Sequence, residues 1–411
     1  MVYVQNKEGK PLMPTVRYGK VRKMLKNGFA KVVQYEPFTI KLNYSTPEFI
    51  QPVSLGIDAG FRHIGISATT KEKELYASEV SLRTDIVELI YTRKKLRHDR
   101  RYRNVRYREA RFNNRKKCRL TPSVENRIQA HLWIIASIYK ILPISSLIIE
   151  VAQFDTQRIK NPNISGKKYQ EGEQKDFWNT REYVLYRDRY TCQHCKGKSG
   201  DSVLNVHHIE SRKTGGDSPG NLITLCETCH KQYHKGSFNL NVKRTPSLKD
   251  AAAMSVMRWE IYNRSKHLYP NVHITYGYIT KYNRIRYGLE KSHISDARCI
   301  SKNFNAEPAR EYYILKQTRR HNRQIHKFNI IKGGKRKTNQ APFKVRGFCL
   351  FDKILFNNIK CFIYGRRQRG YFLLKTIEGK TIHTDAPCNK IKLLQRSKRF
   401  LIDKRVFNKS I

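Results

Sequence analysis

The chain has 411 residues, too many for one ordinary domain, and its 82 Lys and Arg stand against 33 Asp and Glu for a formal charge of +49. That imbalance excludes an ordinary enzyme of small metabolites and asks for a partner with many negative charges, such as a polyphosphate backbone. No apolar run reaches the roughly eighteen residues of a membrane span, and Met1 to Asn6 lack a secretory pattern, so no membrane partner and no secretion are expected. Hydrophobic residues at 39% suffice to bury cores. The nine cysteines are expected to be reduced, and pairs among them read as metal ligands before disulfides.

In chain order, residues 1–50 read as a small β-rich unit. Val2–Val4 and Phe38–Leu42 are its strands, with Pro11–Pro14 and Asn27-Gly28 as turns. Three short apolar segments follow, Val53–Gly60, Ile64–Ala68 and Leu75–Val80, and predict an antiparallel meander. From Arg93 to Arg119 the composition shifts: 14 of 27 residues are Lys or Arg, only Asp99 and Glu109 oppose them, and Pro and Gly are absent. A long basic helix is the expected shape. Thr121-Pro122 then reads as a helix cap with Pro in the first helical position, and Leu132, Ile135, Ile138 and Tyr139 give that helix a core face. An apolar strand, Leu147–Val151, comes next.

Residues 155–190 are a polar linker with no assignable feature. A second Thr-Pro cap, Thr245-Pro246, opens a helix to about His267, and Val272–Ile279 reads as a strand. Residues 305–340 are basic and loop-rich. The last seventy or so alternate apolar and polar residues with Gly347, Gly365, Gly370 and Gly379 between them, which suggests a small antiparallel barrel. No repeat of fixed period is visible.

Two groups of residues carry chemistry. Cys192-Gln-His-Cys195 and Cys226-Glu-Thr-Cys229 are a pair of C-x-x-C knuckles, the pattern of a closed structural zinc site. His207-His208 and Asn221 lie between the knuckles, and His230 and His234 directly after the second. Neighbouring strand positions face opposite ways, so His207 and His208 take different roles only if the strand bends or ends there. His230 and His234, four apart, share one helical face. The second group is Asp58, Glu150 and Asp296, the first two ending apolar strands and the third at a helix start. His293 shares a helical face with Asp296. Scattered carboxylates of this kind are what a two-metal phosphodiester site needs.

The histidine segment resembles the HNH nuclease motif, a ββα-metal hairpin and helix stapled by zinc. That resemblance implies His208 as general base and a divalent metal, Mg2+ or Mn2+, on His207, Asn221 and His230. The carboxylates, in order, resemble a RuvC nuclease: Leu55-Gly-Ile-Asp58-Ala-Gly60, then Leu147-Ile-Ile-Glu150, then His293-Ile-Ser-Asp296-Ala297. The resemblance makes Asp58, Glu150 and Asp296 ligands of Mg2+ or Mn2+, and adds His293 as catalytic. With an Arg-rich helix between the first two motifs and an HNH module between the last two, the whole resembles IscB, a transposon-associated RNA-guided nuclease. Gly9-Lys-Pro11-Leu-Met-Pro14 is similar to the start of its PLMP domain, and Glu109–Arg115 to the stretch after its bridge helix.

The fold class this implies is multidomain α/β and α+β. An RNase H-like (RuvC) fold carries an inserted ββα-metal HNH module with a four-cysteine zinc site, and small β-rich domains stand at either end. Residues 1–50 become the PLMP-like domain and 83–120 the bridge helix. Residues 51–82, 121–160 and 241–305 are three parts of RuvC, and 161–240 the linker and HNH domain. Residues 306–411 are a basic linker and a barrel that reads a short motif beside the target. On the resemblance, the bridge helix grips RNA or heteroduplex through Arg97, Arg100, Arg101, Arg103, Arg106, Arg108, Arg111 and Arg115; Arg forks match phosphates, and the interleaved rings either stack on bases or pack the helix down.

The expected function is RNA-guided DNA cleavage, HNH cutting the guide-paired strand and RuvC the displaced one. The partners are guide RNA and double-stranded DNA, held by a monomer in a ribonucleoprotein inside a prokaryotic cell or an organelle. Two other readings stay open: a guide-independent HNH or homing-type DNA endonuclease, and a catalytically idle RNA-binding scaffold.

Overall fold

The computed structural model describes residues 1–102, 120–152, 174–212, 216–240, 242, 249–319 and 342–407. Two compact units divide the chain: residues 1–152 with 254–411, and residues 153–253 between them. Among the described residues, no helix is long and apolar enough to cross a membrane.

The larger unit begins with a four-stranded sheet of β1 (Val2–Gln5), β2 (Pro11–Thr15), β3 (Ala30–Gln34) and β4 (Thr39–Leu42), in the order β2-β1-β4-β3. Helix α1 (Tyr18–Lys26) buries Val21 against it. Here the sequence reading needs correction. Pro11–Thr15 is an edge strand rather than a turn, because on an edge a proline's missing N–H leaves no ladder bond unmade.

A seven-stranded sheet is the centre of the unit. The expected meander forms from β5 (Val53–Ala59), β6 (His63–Thr69) and β7 (Glu74–Ser81), all antiparallel. Helix α2 (Ile86–Tyr102) then leads into the basic run. Helix α3 (Pro122–Tyr139) starts at the Thr-Pro cap and buries Ile128, Ile134, Ile135 and Ile138. Strand β8 (Ile144–Val151) returns parallel to β5. Strands buried on both faces read as continuous apolar runs, as Leu147–Val151 does.

The smaller unit holds α4 (Thr180–Arg187), the antiparallel hairpin of β9 (Leu204–His208) and β10 (Leu222–Cys226), and α5 (Glu227–His234). The chain re-enters the larger unit through α6 (Lys249–Leu268); Thr245-Pro246, its expected cap, lies outside the described residues. Strand β11 (Val272–Tyr276) adds parallel to β8. It stops at Tyr276, three residues short of the expected end, because α7 (Gly277–Arg286) begins at Gly277. Helix α8 (His293–Ile300) is capped by Ser292, whose hydroxyl accepts from the Ser295 N–H.

Strand β12 (Glu311–Gln317) lies in the stretch read as loop-rich and pairs parallel with β7. Strands β13 (Lys353–Phe356), β14 (Ile359–Arg366), β15 (Tyr371–Lys375), β16 (Thr381–Pro387) and β17 (Ile391–Gln395) form an antiparallel sheet ordered β16-β15-β14-β13-β17. In hydrogen bonding it is open, not the closed barrel expected. The last strand, β18 (Phe400–Val406), leaves it to pair with β12, so the central sheet runs β11-β8-β5-β6-β7-β12-β18.

Two glycines set α8 on this sheet. A Cβ on Gly56 of β5 would stand 2.2 Å from the Ala297 carbonyl oxygen, and one on Gly65 of β6 would stand 1.8 Å from that of His293. Helix backbone therefore rests directly on strand backbone, and that contact carries His293 and Asp296 over β5. Gly65→Ala forces the layers apart and is expected to cost at least about 1–3 kcal/mol, the range for overpacked cores. Urea denaturation followed by fluorescence of Trp133 and Trp259 measures it; wild-type stability would show that α8 does not rest on β6 in this way.

Candidate active sites

Within the larger unit, Arg258 bridges Asp58 on β5 and Glu150 on β8, and Asp296 on α8 lies within electrostatic reach of Asp58. The parallel pairing of β5 with β8 brings Asp58 and Glu150 side by side, and α8 delivers Asp296. His293 Nδ1 stands 2.7 Å from Asp58 Oδ2. Burial pushes Glu150 above the ordinary carboxylate range, against the pull of Arg258. Asp296 is also raised, first by burial and then by Asp58, with Arg284 opposing. The His293 ring is raised by its hydrogen bond to Asp58.

Residues that the sequence reading missed complete this site. Arg258, on α6 and 4% exposed, holds Glu150 Oε1 at 2.9 Å and Asp58 Oδ1 at 3.6 Å, while its Nε donates to the Ala59 carbonyl at 2.8 Å. Arg284 on α7 reaches Asp296 Oδ1 at 2.9 Å. The His63 ring stacks on His293 with centroids 5.4 Å apart, and Glu79 Oε1 lies 3.4 Å from His63 Nδ1. A signal for Arg258 was present: it shares the buried face of α6 with Met257, Ile261 and Ser265, where an arginine needs a buried anion. His63 and Glu79 gave no signal, because cross-strand neighbours are set by register.

Asp58, Glu150 and Asp296 offer oxygen atoms of the kind that suit hard cations such as Mg2+ and Mn2+, while the atoms that already lie within 4.8 Å of one another in this unit are those of His63, Glu79 and His293. Arg258 supplies a balancing positive charge to Asp58 and Glu150. Removing it leaves two buried carboxylates facing each other. Arg258→Leu is expected to lose about 3–5 kcal/mol of stability in chelator, the cost of breaking a buried ion pair. Part of that loss returns with millimolar Mn2+, read as a rise in Tm larger than the wild type shows. Equal Mn2+ shifts in both proteins would remove Arg258 as the counter-ion.

The smaller unit holds two clusters. The sulfur atoms of Cys192, Cys195, Cys226 and Cys229 all lie within 4.8 Å of one another, and Cys195 Sγ is 3.8 Å from Cys226 Sγ. Zinc bonded to four thiolates at about 2.3 Å sets neighbouring sulfurs near that separation, so the residues fit structural zinc. The second cluster is His207, His230 and His234, with ring nitrogens within 4.8 Å of one another. Burial, then the neighbouring rings of His230 and His234, lowers His207 to about 4 and keeps it a neutral donor. His208 ends β9 and faces elsewhere: its Nε2 is 3.0 Å from Asp217 Oδ1, which Arg212 also holds.

Asn221 is not the metal ligand expected. It has no exposed surface; Oδ1 accepts from the Glu210 N–H at 2.9 Å, and Nδ2 donates to the carbonyls of Glu210 and Gly216 at 3.0 and 2.8 Å. It ties residue 210 to residue 216, and His234 takes the third place beside His207 and His230. Three imidazoles also fit a transition ion better than Mg2+, which prefers oxygen.

Of the basic helix, α2 includes Arg97, which is exposed, and Arg100 and Arg101. Arg103, Arg106, Arg108, Arg111 and Arg115 lie outside the described residues.

Comparison with known proteins finds two family matches, in separate stretches of the chain. Residues 2–172 match the family described as RRXRR protein, and residues 192–236 the family described as HNH endonuclease. A stretch of 65 residues is 34% identical to Anaredoxin of Nostoc sp., over 83% of that protein and 16% of this chain, and over that stretch the chain belongs with it. Two crystal structures of Streptococcus thermophilus Cas9, with AGGA and AGAA PAM, match at 12% and 13% identity over 44% and 45% of this chain. The chain spans only 26% of each, and TM-scores of 0.30 and 0.29 carry no argument. The two family matches define a multidomain nuclease with an HNH endonuclease domain. With the RRXRR domain ahead of it, the chain is an IscB-like nuclease.

Proposed function

We propose that this chain is an RNA-guided DNA endonuclease with two independent metal-dependent sites. The observation that carries it is the convergence of Asp58, Glu150 and Asp296, from segments nearly 240 residues apart, in the unit that does not hold the HNH motif. The sheet supports reading that unit as RNase H-like (RuvC): an antiparallel meander, two parallel strands added beside its first, and a carboxylate on each of the strands β5 and β8. The RRXRR match and the basic run support RNA as the guide.

Bound divalent cations would stabilise charge on the phosphate and sharpen a water nucleophile. Asp58, Glu150 and Asp296 would hold them in the larger unit, and His207, His230 and His234 in the smaller. His293, oriented by Asp58 and braced by the His63 ring, is placed to hold or move a proton at its free nitrogen. His208 is the general base of the smaller site. Asp217 orients its ring and stabilises it once protonated, as the carboxylate partner of a catalytic histidine does.

The two sites are separable by substitution. On a plasmid matching the guide, Asp58→Ala is expected to leave a nick only in the guide-paired strand and His208→Ala only in the displaced strand. Strand-specific end labels read the result. Replacing Mg2+ with Mn2+ or Co2+ favours the His208-dependent nick more than the other, as the nitrogen donors require. Loss of both cuts in either variant contradicts two independent sites. Cutting that needs no RNA favours the homing-type endonuclease.

A further inference from the structure

Helix α7 has two faces, and only one is used by the carboxylate site. On the inner face Gly277 lies against Glu150, where a Cβ would stand 3.4 Å from Oε1; Thr280, one turn on, donates to the Tyr276 carbonyl, and Arg284 holds Asp296. The outer face carries Tyr278, Tyr282 and Ile285, which are 73%, 63% and 64% exposed at i, i+4 and i+7. Tyr276, just before the helix, sets its ring almost parallel to that of Tyr278, 10° apart with centroids separated by 6.0 Å. A contiguous exposed apolar stripe marks a binding surface more often than an accident of packing.

The surroundings select the occupant. Lys281 and Arg286 are exposed on the same helix, which contains no Asp or Glu, and Glu290 and Lys291 follow it as a pair of opposite charges. Parallel, solvent-facing rings beside cations suit flat bases on a polyanionic backbone. Paired bases hide their faces inside a duplex, so the strand must be single. An α-helix with its side chains is about 10–12 Å across. The rings therefore stand one helix width from the carboxylates, a span that a few nucleotides cover at about 3.4 Å or more each.

We propose that Tyr276, Tyr278 and Tyr282 form a stacking platform for the bases of a single DNA strand whose backbone enters the site of Asp58, Glu150 and Asp296. The inference rests on the nuclease reading of that site and adds the side chains that hold the strand as it enters. Lys281 and Arg286 hold phosphates while the rings hold bases without regard to sequence.

The test uses the full chain with the RNA that co-purifies with it. Single-stranded oligonucleotides carrying one 5-iododeoxyuridine are irradiated, and the crosslinked peptides are identified by mass spectrometry. Crosslinks to Tyr278 or Tyr282 are expected. In fluorescence anisotropy, the Tyr278→Ala, Tyr282→Ala double variant should bind an oligothymidine about tenfold more weakly, within the range for loss of stacked bases. The double Phe variant should bind as the wild type, because stacking needs the ring and not the hydroxyl. Duplex binding should not change.

Crosslinks confined to other residues, equal loss on duplex, or a Phe variant as weak as the Ala variant would overturn the platform. So would a dimer that dissociates on Ala substitution, which would make a second copy the occupant. Crosslinking by Asp58→Ala keeps this test apart from the nuclease reading. A platform that binds without cutting refutes the chemistry alone, and intact cutting without crosslinks refutes the platform alone.

Discussion

Asp58 and Glu150 are both buried, on adjacent parallel strands, and in low-dielectric space such a pair needs a cation, or a proton on one of them, to offset its repulsion. Arg258 supplies the cation from a helix about 200 residues distant in sequence from Asp58, with its third bond to the Ala59 carbonyl beside Asp58. Much of the larger unit follows from that requirement. Strand β5 must be central, α6 must lie where its buried face reaches β5, and α8 must come close enough to add Asp296. Gly56 and Gly65 provide the closeness, since any Cβ there would meet the α8 backbone.

The smaller unit solves a different problem with different donors. Its hairpin is too short to build a large core, and four cysteines stand where a structural zinc would tie it together. Buried Asn221 adds a second staple by pinning residues 210 and 216. Against this frame, the end of β9 sends His207 toward His230 and His234 and leaves His208 beside Asp217. Adjacent residues thus face different partners because the strand alternates its faces and then stops. On the proposed reading, oxygen donors in one unit and nitrogen donors in the other would give the two sites different metal preferences.

Much of this was legible in the sequence, for identifiable reasons. Asp58, Glu150 and Asp296 stand next to apolar runs whose strand and helix periods fix where their side chains emerge. The C-x-x-C spacing is local, so it survives any uncertainty about fold. What was not legible depends on register and on long-range packing. His63 and Glu79 become neighbours only once β6 and β7 pair. The HNH resemblance made Asn221 a ligand, and only its side-chain bonds to backbone show that its capacity is used. Pro11–Thr15 looked like a turn because the prolines outweighed an edge position that sequence does not reveal. Strand β18 joined the central sheet, since alternation alone does not say which sheet a strand enters.

The central claim is that Asp58, Glu150 and Asp296 are a cation-binding nuclease site whose charge Arg258 balances when no cation is present. Anomalous diffraction from crystals of the full chain with its RNA, soaked in Mn2+, tests it most directly. The account predicts manganese peaks within ligand distance of all three carboxylates, with the Arg258 guanidinium moved off Glu150. Saturating Mn2+ with no peak there, and Arg258 still bonded to both carboxylates, would contradict it.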